Sequence, residues 1–224
     1  MPPGSSYFCG SMKKRSLPPP IRGRKAEARL NDGRILEAAR RVFLANPKAP
    51  ISAVASEAGV GVSALYLRYR SKEELLRRLC SDGLKLYIAE AEAALADDQD
   101  PWTAYAGFMQ RIVDADTHSL VLKLSGKFKP GEALFQEAAK AQELNVRLFE
   151  RTKAAGVIRA DVGVVDIALL FEQLAAVQIG DPRRTVQLRR RYLALILDAL
   201  RAPAAKTLPG PPPVWPEVNN RWDT

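Results

Sequence analysis

The sequence predicts an all-α protein built as an N-terminal helix-turn-helix unit followed by a larger helical domain. Three observations predict it. From Ile35 onward, apolar residues recur at spacings of three and four through most of the 224-residue chain. Gly59-Val-Gly61 parts two short helical patterns. Caps and prolines, among them Asn46-Pro47, Ser71 and Asp100-Pro101, punctuate the patterns where helices should stop and start.

In chain order, Met1–Pro20 is rich in Gly, Ser, Pro and basic residues without apolar periodicity and reads as a disordered leader. A unit over 21–75 follows. It opens with a basic arm, Ile21–Leu30, that grades into a helix whose buried face carries Ile35, Leu36, Ala39, Val42 and Phe43. Arg34, Arg40 and Arg41 take the other side, Arg40 and Arg41 as solvated side chains or aids to orientation on a backbone. Asn46-Pro47 ends this helix, since proline cannot continue the ladder. Pro50 suits the first turn of a short second helix, with Val54, Ala55 and Ala58 as its stripe and Gly59 as its stop. Val60 should plug the core inside the turn. A third helix over Val62–Tyr69 turns Leu65 and Tyr69 inward.

Ser71 and Glu74 fit a capping box for a long helix over Lys72–Ala96, long enough to serve two domains. Asp100-Pro101 caps the next, which carries Trp102, Tyr105, Phe108, Met109, Ile112 and Val113. A shorter helix holds Leu120, Val121, Leu122 and Leu124 before Gly126, and a long one runs over Glu132–Ala155. From about Asp161 to Ile179 the pattern is apolar nearly all round, and a last helix reaches Arg201. These two helices have more apolar surface than one small domain covers, so the domain over 76–201 is expected to pair with a second copy. Leu169, Leu170, Val177, Leu193, Ile196 and Leu197 are the candidate interface. In the Pro-rich tail, 202–224, Trp215 and Trp222 suggest docking on the domain.

The formal net charge of +9 and pI near 9.7 favour a polyanionic partner, and eleven basic residues from Lys13 to Lys48 precede the turn region. Cys9 and Cys80 make no disulfide framework, no metal-ligand spacing occurs, and no cofactor is expected. The leader has no apolar segment of a secretory signal, and the run Val162–Ile179 is broken by Asp166, Glu172 and Gln173. A reduced cytoplasm, away from membranes, is the expected location. With His118 as the single histidine, no nucleophile–base pair is available, so an enzyme is not expected. An interaction module binding acidic protein or lipid is the remaining alternative, separable by competition with double-stranded DNA.

The residues Ile35-Leu-Glu-Ala-Ala39, Val42-Phe43, Val54-Ala55, Ala58-Gly-Val60, Leu65-Tyr66, Tyr69 and Ser71-Lys-Glu-Glu-Leu75 together resemble the DNA-binding domain of the TetR family of transcriptional regulators. The remaining helices match that family in architecture alone. The resemblance implies a homodimer on a palindromic operator, usually a repressor, that a small molecule releases by entering the C-terminal domain.

Carried onto this sequence, the recognition helix begins Gly61-Val62-Ser63-Ala64. This departs from the family's usual hydroxyl residue at the helix start and glycine-threonine before Leu-Tyr. Only Ser63 of the four can hydrogen-bond through its side chain, so direct base readout should be thin. Arg68, the arm residues Arg22 and Arg24 in a minor groove, or DNA shape would then supply specificity. Tyr66, Lys72 and Ser52 are candidate phosphate contacts. For the small-molecule site the candidates are Trp102, Tyr105, Phe108, His118, Phe135, Phe171 and Gln178.

Overall fold

A computed structural model describes residues 21–124, 127–203 and 206–219, with side chains from Leu30 onward except those of 121, 122 and 219. The leader, Gly126 and Trp222 lie outside the described residues. Ten helices follow in order among the described residues: α1 (Ile21–Ala45), α2 (Ile51–Ala58), α3 (Val62–Arg68), α4 (Lys72–Ala96), α5 (Pro101–Ala115), α6 (Thr117–Leu124), α7 (Glu132–Ala154), α8 (Val164–Ala176), α9 (Pro182–Leu200) and α10 (Trp215–Asn219). Among the described residues no strand forms; one isolated antiparallel bridge joins Ile158 to Arg201.

Local signals account for most helix ends. Gly59 takes φ 66°, a left-handed conformation open to glycine, and its neighbour Ala58 gives its carbonyl to Arg34 Nη2 of α1 at 3.0 Å. Ser71 Oγ accepts from Glu74 N at 3.1 Å, as the capping pattern predicts. Glu74 however reaches back to Arg70 N at 2.8 Å, one residue beyond the box. Asp100 accepts from the backbone of Trp102 and Thr103 at 3.1 Å each, with Pro101 in the first turn. Two ends differ from expectation. The basic arm is helical from Ile21, because Ala, Glu, Lys, Arg and Leu favour helix and no proline interrupts Ile21–Ala45. α8 stops at Ala176 instead of Ile179, where Val177 turns extended and gives its carbonyl to Arg189 at 3.0 Å.

Two apolar cores result. The first gathers Ile35, Ala39 and Phe43 of α1, Val54 and Ala58 of α2, Leu65 of α3, Tyr69, and Leu75, Leu76 and Cys80 of α4. It also takes Leu120 and Leu124 from α6 and Leu134 from α7. Val60 packs against it, half-buried. The second core packs Tyr105, Phe108, Met109 and Ile112 of α5 against α4, α7, α8 and α9. α4 therefore serves both, with Leu75 to Cys80 in one and Tyr87 to Ala94 in the other; Leu84 touches each. The first core thus extends past the boundary at 75/76 that the sequence suggests.

The tail crosses the surface. Arg159 and Asp161 pair at 2.6 and 2.9 Å, and each holds the tail backbone: Arg159 Nη2 donates to Lys206 O at 2.7 Å, and Leu208 N donates to Asp161 Oδ2 at 2.7 Å. At Gly163 a Cβ would come within 3.1 Å of Pro212 Cβ, so glycine makes room for the tail segment that passes. Beyond it Val218 is buried and Trp215 half-buried, as the docking expectation for Trp215 requires.

Candidate nucleic-acid interface and interior cavity

Burial of Leu65 and Tyr69 orients α3, since both point into the first core and leave the opposite side in solvent. That open side carries Gly61, Val62, Ser63, Ala64, Tyr66 and Leu67, all exposed. Leu67 is 89% exposed, an apolar side chain left in water on the outward side of the helix. The hydroxyls of Ser52, Ser63 and Tyr66 bond nothing among the described residues, and Ser52 lies exposed in the first turn of α2.

Two expected DNA contacts are occupied inside the fold. Arg68 gives Nε and Nη2 to the Asp32 carboxylate at 2.8 and 3.0 Å, and Tyr69 donates its hydroxyl to the same group at 2.7 Å. Asp32 is 9% exposed, and the Arg68 guanidinium keeps its carboxyl below the usual range. Arg68 thus clamps α3 to α1, with two of its donor positions spent. Lys72 turns inward, giving Nζ to Pro47 O at 2.9 Å and Ala49 O at 2.7 Å while lying 5.0 Å from the Phe43 ring centroid. It ties down the Asn46–Ala49 loop, and burial lowers its pKa. Lys48, in the loop before α2, and Arg70, just after α3, are exposed cations whose side chains have no hydrogen bond or ion pair among the described residues. Arg22 and Arg24 lie on α1, and their side chains fall outside the described set.

Arg41 is exposed, as expected, but ion-paired, whereas Arg40 is drawn into the fold. Arg41 Nε pairs with Glu57 of α2 at 2.9 Å. Arg40 Nη2 donates to Ala115 O at 2.9 Å and Asp116 O at 2.5 Å, and lies 3.5 Å from the Asp116 carboxylate. Asp116, at φ 51° between α5 and α6, also accepts from Ser119 and pairs with Arg189 Nη1 of α9 at 2.5 Å. Further along α6, Lys123 Nζ donates to Leu44 O of α1 at 2.5 Å.

At its other end α6 lines a cavity of about 190 Å³ shared with α4, α7 and α8. Thr117, His118, Tyr87, Asn145, Phe171 and Trp215 are among its walls. His118 stacks on Phe171 with centroids 4.7 Å apart, and Tyr87 meets His118 edge-on at 6.1 Å. Burial pushes the His118 imidazole down to about 4, against a smaller opposing pull from Asp116. The unfolded chain therefore binds this proton first as pH falls, so stability should be lost between the ordinary histidine value of ~6.5 and about 4, by roughly 3 kcal/mol. Thermal melts across that range should flatten in His118→Gln. An unchanged slope would show that His118 is not the group responsible.

Of the seven residues expected at a small-molecule site, His118 and Phe171 line this cavity. Trp102, Tyr105 and Phe108 are consumed by the second core, where Trp102 also carries the Arg201 guanidinium 5.5 Å over its ring. Phe135 is 59% exposed, because its neighbour Leu134 takes the buried direction on α7, and Gln178 is exposed beyond the end of α8. The expected interface divides likewise. Leu193 and Leu197 are buried in the second core, which removes them from any contact surface. Leu169, Leu170 and Ile196 line an open groove of about 270 Å³ on α8 and α9, while Val177 is half-buried at the α8 terminus. Among the described residues no group of side chains has metal-binding composition, and no helix is long and apolar enough to cross a membrane.

This arrangement defines a helix-turn-helix protein with a separate helical domain, and comparison with known proteins agrees. Residues 35–79 match the bacterial regulatory proteins, tetR family. No curated protein matches the chain. Among solved structures, a TetR transcriptional regulator from Streptomyces coelicolor is 26% identical, with a TM-score of 0.56 over 78% of this chain and 99% of that one. A TetR transcription regulatory protein from Mycobacterium vanbaalenii is also 26% identical, with a TM-score of 0.54 over 80% and 99%. The TetR-like regulator LfrR from Mycobacterium smegmatis, solved with proflavine, shares the fold at 24% identity and a TM-score of 0.54, over 80% and 97%. Residues 35–79 thus match the DNA-binding segment of the tetR family, and the chain shares its overall fold with TetR transcriptional regulators.

Proposed function

We propose that the protein is a homodimeric repressor that a small-molecule effector releases from a palindromic operator. One observation carries the reading. α6 belongs to both halves, with Thr117 and His118 at the cavity and Leu120 and Leu124 in the first core. Arg40 and Lys123 fasten the same helix to α1. A ligand pressing on the Thr117 end would shift α6 as a rigid rod and carry α1 with it. Two recognition helices would then no longer match half-sites ~34–36 Å or a multiple apart. LfrR, with proflavine bound on the same fold, is a precedent for ligand entry.

Dimerisation is supported by apolar surface on α8 and α9. Tyr192 and Leu195 are 42% and 57% exposed on α9, beside the groove of Leu169, Leu170 and Ile196. A two-fold contact would cover them. Readout on DNA would be spread thinly. Val62, Ala64 and Leu67 suit thymine methyls, Ser63 can bond a base edge, and Ser52, Tyr66, Lys48 and Arg70 suit phosphates. With Arg68 clamped to Asp32, sequence-dependent DNA shape carries more of the specificity.

The test is operator affinity against salt. Affinity should fall steeply as salt rises, and Arg70→Ala or Lys48→Ala should each reduce the slope of log K on log salt by about 0.9. Tyr66→Phe should weaken binding ~5–10-fold with an unchanged melting temperature, since its half-exposed hydroxyl bonds nothing within the fold. Binding insensitive to salt, or to all three variants, would refute this face.

A further inference from the structure

We propose that the cavity binds a compact, uncharged phenol, and that segment 206–219 is its lid, with Trp215 as the outer wall. The ligand class rests on the ligand-responsive reading above and extends it to the chemistry of the site.

Four observations lead to the phenol. At about 190 Å³ the space is only somewhat larger than the ~150 Å³ that holds benzene in an engineered apolar cavity, so it takes one substituted ring. Its walls are ring faces and edges from Tyr87, His118, Phe171 and Trp215, which favour stacked and edge-on partners. Among the described residues no charged side chain lines it, so an ionised ligand would be buried without a counter-charge. Asn145 lines it too, 6% exposed, and its Oδ1 has no hydrogen-bond partner among the described residues. A buried amide without a partner is costly, and a ligand hydroxyl can donate to or accept from it in either orientation.

The lid follows from the course of the tail. Arg159 and Asp161 anchor it at Lys206 and Leu208, Gly163 admits Pro212, and Val218 is buried past the cavity. Trp215 is the tail's contribution to the lining. Its anchors are a few hydrogen bonds on the outside of the domain, whereas every other wall belongs to one of the packed helices α4, α6, α7 and α8. Opening therefore requires movement of the tail alone.

Calorimetry on the full chain tests both statements with 4-ethylphenol, ethylbenzene, 4-ethylbenzoate and the longer 4-phenylphenol. The expected result is one 4-ethylphenol per chain, bound at least ~10-fold more tightly than ethylbenzene, with no measurable 4-ethylbenzoate binding. Asn145→Leu should erase the preference for the phenol. Should that variant fail to fold, Ala168→Leu, which fills the space from α8, should abolish binding of both 4-ethylphenol and ethylbenzene. Wild type should exclude 4-phenylphenol and Trp215→Ala should admit it. Equal binding of ethylbenzene and 4-ethylphenol, or preferred binding of the carboxylate, overturns the ligand class. Unchanged size selectivity in Trp215→Ala overturns the lid. Phenol binding that leaves operator affinity untouched would count against the regulatory reading and not against the site. Release from DNA by another compound, without phenol binding, would do the reverse.

Discussion

Asp32→Ala should destabilise the DNA-binding unit by about 2–4 kcal/mol and weaken operator binding with it. Three hydrogen bonds converge on this carboxylate: two from Arg68 and one from Tyr69, the last with a side chain 5% exposed. The substitution leaves the Tyr69 hydroxyl buried without an acceptor and frees the end of α3 from α1. Arg68→Ala should cost less: it removes the counter-charge of Asp32, 9% exposed, but the Tyr69 hydroxyl keeps its acceptor and the carboxylate keeps that donor. Urea denaturation read by circular dichroism measures both. Equal costs would mean that the ion pair dominates, and no cost in Asp32→Ala would mean that packing alone holds α3. The pair also has an acid limit. Its folded-state pKa is lowered, so the stability Asp32 contributes is present above the ordinary carboxylate range and lost as pH falls through the folded value.

Asp116→Ala should have the other large effect, with two separable consequences. Arg189, 5% exposed, keeps its hydrogen bonds to Ala175 O and Val177 O but loses its counter-charge; leaving such a cation unpaired costs ~3–5 kcal/mol. The variant should melt well below wild type. Arg40→Ala tests the coupling more gently, because Arg40 is a quarter exposed and its removal strands no buried charge. In that variant DNA affinity without ligand should stay within about threefold, while the ligand-induced loss of affinity should shrink severalfold. Paired titrations of DNA with and without ligand measure this. A full ligand response in Arg40→Ala would move the coupling elsewhere, to Lys123 or to α4.

Helices and their ends were legible because their causes are local. Ser71, Asp100-Pro101 and Gly59 act within one turn of chain, and the structure starts or stops helices at each of them. Side-chain partners across helices were not legible. Arg68 and Lys72 look like DNA contacts by position, yet both are claimed by groups 36 and about 25 residues away. A signal for the first did exist: Asp32 sits three residues before Ile35 on the buried stripe, and a carboxylate there implies a cationic partner. The cavity was hidden for a different reason. Large aromatics such as Trp102, Tyr105 and Phe108 drew attention, but they fill space. Room is left by what is small, Gly83, Ala141 and Ala168, and small residues have no periodic signature.

The sharing of α4 between two cores has a consequence for recombination. A chimera joined at residue 75 would separate Leu76 and Cys80 from the residues they pack on and strip Leu120, Leu124 and Leu134 from the first core. The transferable piece is therefore not a contiguous stretch of chain. It is the N-terminal helices together with the upper half of α4, one face of α6 and the start of α7. An exchange of operator preference with a relative would have to carry those distant positions along or re-match them at the graft.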